Sequence, residues 1–238
     1  MIDTHAHIDS TLCDIIGGGP LDAVILSGAS IESSKNNLLL ADKYPFLCPA
    51  VGIHPQEIGD DINLLEELVK NPRVIAIGEC GLEYLGEVDT KKQEEYFRKQ
   101  IELSKKYNKP LIVHSRKAVD ETIQILSEYK ELRGVIHCYS GGKKRVNKVL
   151  ALPGEWYFGF DGNLTYEVGL EEVLKAIPRD RVLAETDSPL LTPEPFRGQV
   201  NKPEYVKYVY QKIADIWGES FEKTEEILDA NAKKLFGI

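Results

Sequence analysis

All five histidines of the chain follow or close short apolar segments, and none lies on a helical face. His5 and His7 stand in Asp3-Thr4-His5-Ala6-His7, His54 ends Val51-Gly52-Ile53-His54, His114 ends Leu111-Ile112-Val113-His114, and His137 ends Gly134-Val135-Ile136-His137. Two carboxylates share the setting: Glu79 after Val74-Ile75-Ala76-Ile77-Gly78, and Asp187 after Val182-Leu183-Ala184-Glu185-Thr186. Imidazoles and carboxylates gathered at strand ends are the ligand set of zinc, manganese and similar ions. His5 and His7, two apart on a strand, point to one face and can hold one ion together. As an isolated pair they read equally well as polar residues at an exposed N-terminus; Glu79, His114, His137 and Asp187 turn the balance to a metal centre.

Six ligands exceed what one tetrahedral ion uses. The economical arrangement is two ions ~3.5–4 Å apart with one carboxylate between them. His5, His7, Glu79 and Asp187 would hold the first ion, and Glu79, His114 and His137 the second. A pair of this kind makes a bound water acidic and clamps the oxygens of a phosphoryl or acyl centre. Asp187 is then the general base that takes the proton from that water. The expected chemistry is hydrolysis, with Glu79 and Asp187 as the catalytic carboxylates.

The elements that must carry these residues follow from their spacing. Apolar runs at 23–27, 47–54, 74–79, 110–114, 133–138, 156–160 and 181–186 alternate with helical patterns near 62–70, 91–107, 118–130, 143–151, 167–176 and 203–217. Such alternation implies parallel strands. Glu79 follows His54 by 25 residues, His114 follows Glu79 by 35, and His137 follows His114 by 23. With Met1–His5 as the first strand there are eight, and Asp187 falls on the last. The prediction is a single-domain α/β fold, a (β/α)8 TIM barrel with the metal site at the C-terminal ends of its strands. Segments 219–229 and 230–236 are expected to be closing helices.

Composition agrees with one globular domain over 1–238: 238 residues, 42% hydrophobic and 28% charged. No apolar run approaches the ~20 residues of a membrane span. Asp3 and His5 interrupt any signal-like apolar stretch, so a cytoplasmic location is expected. Cys13, Cys48, Cys80 and Cys138 contain no C-x-x-C pair, which argues against a thiolate zinc site or a disulfide framework. Strand alternation is expected to turn Cys80 and Cys138 toward the helix layer, buried and inert. A net charge of −9 argues against a broad basic surface for nucleic acid. It leaves room for a nucleic-acid substrate, because two divalent ions add about four positive charges at the site.

At these same residues the chain resembles the TatD-like metal-dependent deoxyribonucleases of the amidohydrolase superfamily. Asp3-Thr4-His5-Ala6-His7, Gly52-Ile53-His54-Pro55, Gly78-Glu79-Cys80-Gly81-Leu82, Val113-His114-Ser115-Arg116 and Glu185-Thr186-Asp187-Ser188-Pro189 match that family's motifs in order. The segments 190–198 and 231–236 also look like it. The resemblance implies a TIM barrel with divalent ions (Zn, Mn or Mg), hydrolysis of DNA phosphodiesters, often as an exonuclease, and His5, His7, Glu79, His114, His137 and Asp187 as ligands. It separates the chain from relatives that use a carboxylated lysine, since Glu79 stands in that place. The chain departs from the family pattern at Gln56, where a second histidine is common, and at Glu83, where aspartate is common. Phe160-Asp161-Gly162 is also less family-like. These departures bear on substrate contacts and rate more than on metal binding.

His54, on the expected catalytic rim, is assigned to substrate, through a hydrogen bond to a phosphate or to a ligand. Arg116 and Arg197 lie in loops after strands and suit bidentate phosphate contacts. Lys143, Lys144 and Arg145 read as a solvated helix face. Tyr84, Tyr139 and Phe196 are placed to stack on bases, and Trp156 and Tyr157 belong in the core. The reading is a metal-dependent deoxyribonuclease in which a metal-activated water cleaves DNA, with no membrane and no obligate protein partner. The alternative is an amidohydrolase-type enzyme that cleaves a C–N or ester bond in a small molecule with the same metals.

Overall fold

Strand follows helix because the apolar residues are arranged in short β-branched runs separated by amphipathic stretches. In the computed structural model, which describes residues 1–8 and 21–238, eight strands pair in sequence order. They are β1 (Ile2–Ala6), β2 (Ala23–Leu26), β3 (Leu47–Val51), β4 (Ala76–Glu83), β5 (Leu111–Arg116), β6 (Leu132–Ile136), β7 (Gly154–Phe160) and β8 (Val182–Ala184). All seven neighbouring pairs are parallel. The last and first strands meet just beyond β8. There Ala6 bridges Ser188, the Asp187 N–H donates to the His5 carbonyl at 2.9 Å, and the His7 N–H donates to the Ser188 carbonyl at 2.7 Å. Buried Asp3 pins the seam by accepting from the Thr186 N–H (2.9 Å) and hydroxyl (2.6 Å). The result is the expected (β/α)8 barrel.

Among the described residues the helices are α1 (Ile31–Lys43), α2 (Ile62–Val69), α3 (Thr90–Tyr107), α4 (Val119–Ser127), α5 (Lys143–Leu150), α6 (Leu170–Leu174), α7 (Val206–Trp217) and α8 (Phe221–Phe236). The sequence reading missed α1, whose consecutive Leu38, Leu39 and Leu40 blur a helical stripe. Its start was written in Ser30 and Ser33, which form a capping box. The stretch expected at 167–176 shortens to α6, behind a 3-10 turn at Gly162–Thr165. The two closing helices expected at 219–229 and 230–236 are one helix, α8. None of the described helices is long and apolar enough to cross a membrane.

Ile2, Ile25, Ala50, Ala76, Ile112, Val135, Tyr157 and Leu183, one from each strand, meet in the barrel interior with Ala232, Leu235 and Phe236 of α8. A larger apolar layer lies between the strands and the helices and contains Ile77, Cys80, Val113, Phe158 and Trp156. Tyr157 and Trp156 are therefore core residues, as expected.

Simple alternation from the interior residues would turn β1 and β4 the wrong way at the top. From Ile2 it leads to Thr4 and Ala6, yet Ala6 packs outward with Val24 and Leu26. From Ala76 it leads to Gly78 and Cys80, yet Cys80 lies outward with Ile77. Both strands carry a register shift, between Asp3 and Ala6 and between Ile77 and Cys80. An irregularity of this kind flips the side-chain parity. It turns His5, His7 and Glu79 into the mouth of the barrel.

Candidate metal centre

The six predicted ligands converge. Glu79 lies inside β4 rather than at its end, because that strand continues to Glu83. His114 lies on β5, His137 just after β6, and Asp187 three residues after β8. The Glu79 carboxylate stands between two groups of donors. Its Oε2 is 3.3 Å from His5 Nε2 and 3.2 Å from His7 Nε2. Asp187 Oδ1 reaches the same two nitrogens at 3.5 and 3.6 Å, and the nitrogens are 3.0 Å apart. On the other side, Glu79 Oε1 is 2.8 Å from His114 Nδ1 and 2.7 Å from His137 Nε2, which are 3.2 Å apart. Neighbouring ligands on an ion ~2.1 Å from each stand ~3.0–3.4 Å apart, so both groups are close to a coordination shell.

The electrostatics of the metal-free centre point the same way. Burial pushes Glu79 up, but the charges of His137 and His5 and hydrogen bonds from His114 and His137 hold it well below the usual carboxylate range. Burial pulls His137 down, and Glu79 with Glu185 reverses this and holds it well above an ordinary imidazole. His114 and His7 are likewise pulled down by burial and raised overall, His114 by Glu79 and Glu83, His7 by Glu79 and Asp187. His5 is lowered, by burial first and by the His137 charge second. Burial raises Asp187. An ionised carboxylate here keeps neighbouring imidazoles protonated, and a divalent ion would take the place of those protons. The donor set fits such ions.

A family model described as TatD related DNase matches residues 2–237. The chain belongs to the TatD-related DNase family. It is 35% identical to a metal-dependent hydrolase, YabD, of Bacillus subtilis, across 100% of this chain and 99% of that protein. It is 32% identical to a protein of Erwinia billingiae named 3'-5' ssDNA/RNA exonuclease TatD, across 92% and 88% of the two chains. The crystal structure of the TatD homolog YJJV of Escherichia coli superposes with a TM-score of 0.93 at 26% identity, covering 100% of this chain and 98% of that one. As a TatD-family protein it is a metal-dependent hydrolase.

Within this TatD-family barrel, His54 sits closer to the centre than a rim residue would. Its Nε2 is 3.6 Å from Glu79 Oε1 and its ring meets that of His114 edge-on at 4.5 Å. Burial lowers its pKa to about 4. The Gln56 backbone N–H donates to its Nδ1 at 3.1 Å, which leaves the proton of the neutral ring on Nε2. Gln56 is itself exposed. Arg116 is on the rim, 3.7 Å from Glu83. The Arg197 guanidinium carbon lies over the Tyr166 ring, 3.9 Å from its centroid.

The aromatic residues expected to stack on bases are otherwise engaged. Tyr139 is buried edge-on against Phe158, the Tyr84 hydroxyl donates to Glu94, and Phe196 stacks on Tyr205. Cys80 is buried in the helix layer as expected. Cys138 is a correction: a backbone φ of 43° leaves it half-buried, its sulfur 3.8 Å from Asn163 Nδ2. Strand alternation does not apply there, because β6 ends at Ile136. Cys13 lies outside the described residues.

The sequence reading gave no role to three residues behind the ligands. Glu83 Oε2 is 3.2 Å from His114 Nε2, Glu185 Oε1 is 3.5 Å from His137 Nδ1, and the Ser27 hydroxyl is 3.1 Å from His5 Nδ1. Glu185 lay inside a quoted motif, and Glu83 stood directly after one as a departure from the family pattern. A carboxylate within an apolar strand, or between β8 and a ligand, was the available signal.

Proposed function

We propose that this protein is a deoxyribonuclease of the exonuclease type, working in the cytoplasm on DNA. The observation that carries the reading is the sharing of Glu79 between two donor groups, His5, His7 and Asp187 on one side and His114 and His137 on the other. The name of the Erwinia relative supports nucleic acid as the substrate class. Lewis acidity from two divalent ions of the zinc, manganese or magnesium class is the chemistry supplied when the centre is loaded.

The chain's own residues do the rest. His5, His7, Glu79 and Asp187 would hold one ion and Glu79, His114 and His137 the other, with the Glu79 charge offsetting theirs. Asp187, beside His5 and His7, receives the proton of the attacking water. Water oxygen bonds to phosphorus, the phosphorus–oxygen bond to the leaving nucleotide breaks, and the proton ends on that leaving oxygen. His54, neutral and carrying its proton on Nε2, donates to a phosphate oxygen. Arg116 and Arg197 hold flanking phosphates.

The test is cleavage of an end-labelled single-stranded oligodeoxynucleotide with Mg²⁺, Mn²⁺ or EDTA, by the wild type and Glu79→Ala. Stepwise shortening with metal, reduced to the EDTA level in Glu79→Ala, is the expected outcome. An intact oligonucleotide under every metal, with hydrolysis of chromogenic amides or esters instead, overturns it.

A further inference from the structure

The two donor groups are backed differently, and this gives them separate controls. Resting on the two-ion reading above, we propose that Glu83 and Glu185 are positioning residues. They orient His114 and His137 and set the affinity of the second ion alone.

Both carboxylates are almost completely enclosed, Glu83 at 1% and Glu185 at 0% exposure. A buried carboxylate is costly unless something nearby requires its charge. Each is oriented by one backbone amide. The Leu85 N–H donates to Glu83 Oε1 at 3.1 Å, which leaves Oε2 facing His114. The Cys138 N–H donates to Glu185 Oε1 at 2.6 Å, and that oxygen also faces His137 Nδ1. Side chains of the outer layer hold Glu83 from behind, since buried Gln93 bonds both its backbone N–H (2.9 Å) and its carbonyl (3.0 Å). Glu185 occupies volume left by Gly159, where a Cβ would come within 2.3 Å of Oε2. His137 Nδ1 and Glu185 Oε2 are buried and without a hydrogen-bond partner, so the pair is not closed on itself.

A carboxylate facing the far nitrogen orients the ring and strengthens the near nitrogen as a ligand, through a hydrogen bond at His114 and through its charge at His137. In the second group both imidazoles have an anion there. In the first group, His5 has the neutral Ser27 hydroxyl in that place. The first ion takes its additional negative charge directly from Asp187. Removing the two outer charges therefore reaches one ion and not the other.

A purely structural role for Glu83 and Glu185, as staples for the Leu85 and Cys138 amides, makes a different prediction. Glutamine keeps the acceptor oxygen and removes the charge. Metal-stripped wild type, Glu83→Gln and Glu185→Gln are titrated with Mn²⁺ by calorimetry, and their metal-free thermal melts are recorded. We expect two ions in the wild type. In each variant one ion weakens by about 10–100-fold, the size usual for such partners, and the other is unchanged. In a His114→Ala/His137→Ala background, which retains only the first group, neither glutamine substitution changes Mn²⁺ affinity. Glu83→Asp, which keeps the charge, stays nearer the wild type than Glu83→Gln and decides the matter should a glutamine variant fail to fold.

Two unchanged ions with a lowered melting temperature would make both residues staples and overturn the proposal. Equal weakening of both ions, or an effect that persists beside His114→Ala/His137→Ala, would also overturn it. A wild type that binds fewer than two ions sinks the two-ion reading itself, an outcome visible before any variant is compared.

Discussion

Asp161 is a carboxyl group in a place unsuited to a charge. It follows β7, is buried, and has its pKa pushed up to about 7 by burial and by the Glu185 charge. Its Oδ1 accepts the Asn163 N–H at 2.7 Å, a bond that the protonated acid and an amide can both accept. Between its ordinary pKa and about 7 the folded metal-free protein holds a proton that the unfolded chain has released. Stability therefore falls as pH rises through that window, by up to about 1.4 kcal/mol per pH unit. Asp161→Asn removes this dependence. Urea unfolding of the metal-free proteins at pH 4.5, 6 and 8 should find the variant gaining on the wild type as pH rises. Parallel curves would mean that Asp161 is ionised throughout. A reader of the chain sees an aspartate after an apolar run but not its neighbours, because Glu185 is brought beside it only by the pairing of β7 with β8.

At the scale of elements, α3 shows how a helix can hold strand ends. Gln93 and Gln100, seven residues apart on one face, are buried and each bonds both backbone groups of one residue on an adjacent strand or loop: Gln93 those of Glu83, Gln100 the Ile53 N–H and carbonyl, both at 2.9 Å. Ile53 immediately precedes His54. Gln100→Ala strands a buried donor and acceptor, at a cost of about 1–3 kcal/mol in unfolding free energy. A loss below about 0.5 kcal/mol by denaturant titration would show that water replaces the amide. The sequence signalled α3 itself through its amphipathic stripe. The purpose of its two buried glutamines was hidden, since periodicity marks a face but not its partner. The register shifts in β1 and β4 were hidden for a related reason. Nothing in the sequence of either strand marks where the alternation breaks, and only pairing with its neighbours exposes the change in parity.

For the whole molecule, charge limits how the proposed substrate can be held. With −9 overall, and with Arg145 and Lys148 already paired to Asp120, Arg116 and Arg197 are the rim cations assigned to phosphate. About two phosphate contacts on a single strand give a shallow salt dependence, a slope of about −1 to −2 in log K against log salt. Fluorescence anisotropy of a labelled oligonucleotide across a salt series measures it. A slope steeper than about −4 would reveal a broader basic surface and overturn this account.

By itself the sequence determined the alternation of strand and helix and the parallel barrel that follows from it, and it singled out six candidate donors, because short-range periodicity and residue chemistry are local properties. It reached the family through motifs that are local as well. Tertiary structure decided which way those donors face, that Glu79 lies between two groups, that His54 joins them, and that Glu83 and Glu185 stand behind two of the histidines. Those facts depend on strand register and on contacts between residues far apart in the chain, such as Asp3 with Thr186. No local pattern encodes such distances; they exist only once the barrel closes.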